Sequence, residues 1–183
     1  MDEEIGNFDN IIQIINVTSQ IINVHIDGEI LEPLYYREAF NVIRDASEND
    51  LINIYINSIG GDISTFIEFY NLISECNARV VAYLYMGYSC AAMLALICPE
   101  LVLTEFCSLL IHAPSGEAIG KVGEIKSHGD FFKEWSEEII TSTYRGYLTD
   151  KEIEKVLEGK EIWHDRKEIE KRLLNRDKLL KRK

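Results

Sequence analysis

The sequence predicts an α/β fold with a mainly parallel sheet. Short β-branched runs alternate with longer segments of helical periodicity. Hydrophobic residues make up 46% of the 183, enough for one full core. Three of the apolar runs end in small, polar, chemically marked stretches: N-S-I-G-G-D, M-G-Y-S-C-A-A and L-I-H-A-P-S-G. Strand ends of this kind are where parallel sheets hold their ligands.

Residues 1–10 carry Asp2, Glu3, Glu4 and Asp9 and read as a flexible N-terminal arm. Residues 11–17 and 21–26 are β-branched and read as short strands, the second closed by a turn at Asp27-Gly28. Pro33 suits a first helical turn; Leu34, Ala39, Val42, Ile43 and Ala46 then recur at helical spacing. Residues 51–56 are a strand, and Asp62 or Ser64 caps the helix that follows, through Phe66, Phe69, Leu72 and Ile73. Residues 79–85 are the next strand. The chain then turns on Gly87 and enters an alanine-rich helix that runs to Ile97 and is stopped by Pro99. Residues 101–104 and 107–111 read as two short strands. A long helix over residues 124–144 has Ile125, Phe131, Phe132, Trp135, Ile139 and Ile140 on its apolar side, and Gly146 breaks it. Thr149-Asp150 caps a shorter helix, which Gly159 ends. Domain organisation is thus an arm (1–10), one domain (11–170) and a basic C-terminal tail (171–183) that reads as a solvated helix end.

Net charge is −12 and the isoelectric point is near 4.8, which argues against nucleic acid as a partner. None of the four cysteines forms a C-x-x-C pair, and most lie in apolar runs, as in a cytoplasmic protein with reduced thiols. The first ten residues are too polar for a signal peptide, and no apolar run approaches the roughly 20 residues of a membrane span.

Singly, each marked strand end is a weak signal. Together, N-S-I-G-G (57–61), M-G-Y-S-C-A-A-M (86–93) and I-H-A-P-S-G (111–116) occur in the order, and at about the spacing, of the proteolytic subunit of the caseinolytic (Clp) protease. The stretch H-A-P-S-G-E-A-I-G-K-V-G-E-I resembles that family's approach to its projecting handle helix. The resemblance covers roughly residues 11–170 and implies a Clp protease/crotonase-like fold. It also implies a serine endopeptidase in a self-compartmentalised, ATP-dependent protease. The partners would be further copies of the chain in heptameric rings stacked in pairs, an AAA+ unfoldase and unfolded polypeptides. No cofactor and no metal are implied.

Counted from Gly87, the family's nucleophilic serine falls on Ala91, its histidine on His112 and, by aligning Trp163, its acid on Glu161. The oxyanion-hole amides fall on Gly61 and Ala92. In such a site the serine attacks a peptide carbonyl, the histidine takes its proton and the acid fixes the histidine tautomer. An alanine at the nucleophile position leaves three readings open: a peptidase captured in a Ser-to-Ala form, a natural catalytically dead subunit serving as ring scaffold or regulator, or substitution of the nucleophile by Ser89 or Cys90. The sequence departs from the family at Ile59, where proline is usual, in its arm and in its C-terminal close; these departures suggest a divergent member, such as a phage-encoded one. A crotonase-like acyl-CoA enzyme, which needs an oxyanion hole but no serine, is the rival from another class.

Overall fold

The computed structural model describes residues 18–180, with side chains through residue 176. The expected arm (1–10), the strand expected at 11–17 and the end of the basic tail lie outside the described residues. Five strands form one sheet in chain order: β1 (Ile21–Ile30), β2 (Leu51–Gly61), β3 (Arg79–Tyr88), β4 (Glu100–Ile111) and β5 (Ile162–Asp165). The first four are parallel and β5 runs antiparallel to β4. Between them lie a 3-10 turn (Pro33–Tyr36), α1 (Arg37–Asp45), α2 (Ile63–Glu75), α3 (Cys90–Ile97), α4 (Val122–Tyr144) and α5 (Asp150–Leu157), and α6 (Arg166–Leu180) closes the described chain.

The core is centred on α3. Every residue from Cys90 to Leu96 is buried, so this helix has no polar face and must be enclosed on all sides. It packs on β2, β3 and β4 and against α2 and α4. On β1 the residues alternate: Val24 and Ile26 point inward, and Ile21, Asn23 and His25 point to solvent. On that open face His25, Tyr55 and Tyr83 stand in register on adjacent strands. Their rings stack at 4.8 and 4.9 Å. From Val122 to Phe131 α4 buries nothing; Ser136, Ile140 and Tyr144 are buried and Ile139 packs against the core, so the apolar side is exposed at Ile125 and Phe131, half-buried at Phe132, Trp135 and Ile139 and fully buried at Ile140.

Three expectations change, and one strand was not expected. β1 does not end at Asp27-Gly28: Gly28 (φ 71°) takes a bulge, and the strand resumes because Glu29 and Ile30 pair with Gly60 and Gly61. The two strands expected over 101–111 are one. Its register on β3 jumps from Leu103 to Ser108, and Phe106, in the extruded segment, is 93% exposed. β5 is too short, and too mixed in composition, to be read as a strand from sequence. Finally, α6 runs through residue 170 without a break. Ile169 is fully buried, and Arg172 makes a bidentate pair with Glu152 (2.7 and 3.0 Å) and bonds Glu168 at 2.7 Å. Part of the supposed basic tail is therefore a clasp holding α5 to α6.

Bonding to Arg172 holds the Glu152 carboxyl well below its ordinary 4.5, at about 2. A depressed carboxylate contributes stability that is present above its unfolded pKa and lost as pH falls through the folded one. Arg172→Met is expected to lower stability at neutral pH by about 1–2 kcal/mol, partial exposure screening the remainder. It should also flatten the acid limb of the stability profile between about pH 4.5 and 2. Chemical denaturation at stepped pH checks both; an unchanged acid limb would contradict the assignment.

Candidate active site

Three strand ends and one helix start converge at a single point. β2 ends in N-S-I-G-G. The Ser58 hydroxyl donates to the Gly28 carbonyl (2.6 Å) and accepts from the Gly60 N–H (3.1 Å), which fixes the β1 bulge to the end of β2. Gly60 has φ 90° because nothing larger fits: a Cβ there would lie 2.6 Å from the Ser89 Cβ. Gly61 (φ 150°) would drive a Cβ into the Ile30 carbonyl oxygen. Asp62 then caps α2 by accepting from the Thr65 N–H at 2.9 Å.

The turn after β3 is not at Gly87. That glycine is a strand residue, paired with Ser58 on one side and Leu109 on the other. β3 continues to Tyr88, and the chain turns at Ser89, with φ 56° and ψ −128°. Ser89 is the one non-glycine residue with positive φ among those described. Such a backbone costs on the order of 1–3 kcal/mol and persists only where its surroundings over-determine it. Here they do. The Ser89 N–H donates to the Leu110 carbonyl (2.9 Å), and the Ser89 carbonyl accepts from the N–H groups of Ala92 (3.0 Å) and Met93 (3.2 Å). A serine on a strained strand-to-helix turn has its hydroxyl presented at the tip.

Ser89 lines a cavity of about 260 Å³ together with Gly61, Asp62, Ile63, Cys90, Met93, His112, Pro114 and Ser115. Ala91 does not line it: it is fully buried inside α3. Ala92 is also fully buried, and its N–H is already committed to Ser89. So, of the residues expected from sequence, Gly61 and His112 line the cavity, with Ser89 and Cys90 beside them, and Ala91, Ala92 and Glu161 do not. The residue after the turn is then Cys90, the first of α3, whose backbone amide has no intrahelical partner. The sequence did carry a signal for Ser89. Gly87 to Ala91 read G-Y-S-C-A, close to the G-x-S-x-G pattern of a nucleophile turn.

His112 follows the last residue of β4. Its Nδ1 lies 2.8 Å from the Ala113 carbonyl oxygen. With the proton on Nδ1 donated there, Nε2 is the open acceptor. Glu161 precedes β5. The antiparallel ladder ends at the pair Ile111 and Ile162, and His112 and Glu161 are the next residues of the two segments beyond it. The Glu161 carboxylate accepts from the Trp163 indole N–H at 3.3 Å, and the Trp163 ring meets Tyr88 edge-on at 5.2 Å. The short antiparallel strand thus sets Trp163, the partner of Glu161, against Tyr88, the last residue of β3 and the neighbour of Ser89.

The Cys90 sulfur accepts the Gly61 N–H at 3.1 Å, and burial pushes its thiol up to about 11. At about pH 8 only about a thousandth of it is thiolate. Iodoacetamide should therefore alkylate Cys90 far more slowly than a free cysteine, with a rate that rises about tenfold per pH unit toward 11. Rapid alkylation at neutral pH, read by peptide mass spectrometry, would contradict this and return Cys90 to the list of nucleophiles.

No curated protein matches the chain significantly. A family model does: that of Clp protease, over residues 10–178. The match runs through all three convergent strand ends and through both β5 and α6. The chain belongs to the Clp protease family.

Proposed function

We propose that the chain is a catalytically competent serine endopeptidase subunit with Ser89, not Ala91, as its nucleophile. The observation that carries this is the strained turn at Ser89, in the same cavity as Gly61 and His112. It supports an active enzyme over a captured or dead one, since those readings took Ala91 as the nucleophile position. In the proposed reaction His112 Nε2 takes the Ser89 proton as Oγ attacks a peptide carbonyl. The oxyanion is held by the N–H groups of Gly61 and Cys90, the former turning from the Cys90 sulfur to the substrate oxygen. His112 gives its proton to the leaving amine, and water then releases the acyl group by the reverse relay. Glu161 is proposed to take the Nδ1–H from the Ala113 carbonyl and so to orient and stabilise the imidazolium.

Assembly follows from what the chain leaves uncovered. The bare first turns of α4, with Val122 87% and Phe131 65% exposed, support contact between copies, and we propose heptameric rings stacked in pairs. The open aromatic ladder His25–Tyr55–Tyr83, flanked by Tyr85, supports docking of an AAA+ unfoldase that feeds unfolded polypeptide. No described helix is long and apolar enough to cross a membrane; a cytoplasmic site of action is part of the proposal.

The purified chain is expected to hydrolyse an internally quenched peptide. Ser89→Ala should abolish this, a loss on the order of 10⁶ in kcat. Ala91→Ser places a hydroxyl in the core and should bring no gain in rate. An inert parent chain that Ala91→Ser switches on would overturn the assignment.

A further inference from the structure

We propose that the Cys90 thiol is a placeholder at the oxyanion site: it holds the Gly61 amide in the resting chain, and the ease of its displacement sets the rate. This rests on the peptidase reading above. The backbone that ends β2 and enters α2 is bonded amide by amide. The Gly60 N–H donates to the Ser58 hydroxyl (3.1 Å), and the Asp62 N–H donates to the Ile30 carbonyl (2.8 Å). Between them, the Gly61 N–H donates to the Cys90 sulfur at 3.1 Å. The same sulfur lies 3.9 Å from the Asp62 carbonyl oxygen, to which its S–H donates. Gly61, Asp62, Ser89, Cys90 and His112 all line one cavity, so this contact stands in the wall that an attacked carbonyl must reach.

The residue type gives the contact its sense. α3 is buried from Cys90 to Leu96 and takes alanine at Ala91, Ala92 and Ala95, so packing alone asks only for a small apolar residue at its start. Cys90 adds an acceptor there. A buried N–H left without a partner is costly, and a side-chain oxygen would hold it firmly. Sulfur is a weak acceptor. It therefore satisfies the amide at rest and yields it to a developing oxyanion, the stronger partner. Burial pushes the thiol up to about 11, so the sulfur stays neutral and does not compete as an anion. The bonds on both sides fix where the Gly61 amide stands, so the exchange is one of partner rather than of place.

The test compares Cys90→Ala with Cys90→Ser on an internally quenched peptide. Both replace the sulfur with something smaller; they differ in whether an acceptor faces the Gly61 amide. Cys90→Ala should raise kcat about fivefold, and Cys90→Ser should lower it about fivefold. KM should stay within about twofold for both, because the amide changes partner only as the oxyanion forms. Cys90→Val, which keeps the volume without an acceptor, should follow the alanine variant and stands in for it if that variant does not fold. A side chain that only packs would give losses in alanine and serine alike. Losses in both, rates that neither changes, or an effect on KM alone overturn the placeholder while the peptidase stands. Cleavage by neither the parent chain nor any variant sinks the peptidase, and the placeholder with it.

Discussion

The structure depends on how closely the ends of β1 and β2 approach the start of α3. Two glycines make that approach possible. Gly60 has the Ser89 side chain against its Cα, and Gly61 has the Ile30 carbonyl there. Any side chain at either place would push the strand ends apart. With them in contact, Ser89 has nowhere to go but positive φ, because both its N–H and its carbonyl are already bonded to fixed neighbours. The strain is thus held by the sheet and by α3 rather than by the turn itself.

That arrangement separates rigidity from chemistry. α3 contributes almost nothing but packing, being buried along nearly its whole length. Its beginning is where Ser89 and Cys90 meet His112, just past the end of β4, in one cavity. β5 extends the sheet at its far edge by pairing with β4, and the Arg172 clasp ties the helix that follows it to α5. His112 rests on the Ala113 carbonyl and Glu161 on the Trp163 indole, while the Gly61 amide donates to the Cys90 sulfur.

Most of the fold was legible because the apolar runs are long and the helix breaks carry glycine or proline. What was not legible has physical causes. Strands β1, β2 and β3 outrun their apolar stretches because parallel neighbours keep offering partners past the last hydrophobic residue. β5 is held by its neighbour and by Trp163 on Tyr88, not by its own composition. The turn itself was misplaced by two residues because Gly87 looked like it. Gly87 is small because a Cβ would lie 2.9 Å from Leu84 and 3.2 Å from Leu109, a packing demand inside a strand. The residue that does turn is a serine, and sequence does not display a positive φ at serine. The meeting of Gly61 and His112 in one cavity was legible because strand ends, rather than a single torsion, determine where they stand.

The nucleophile at Ser89 is the claim on which the rest turns. A fluorophosphonate reacts only with a serine that has a base and an oxyanion hole around it. Treating the unmodified chain with such a probe and mapping the adduct by peptide mass spectrometry reads that serine directly. The adduct is expected on Ser89 and should vanish with His112→Ala. A chain that stays unlabelled while correctly assembled, or one labelled at another serine, would contradict it.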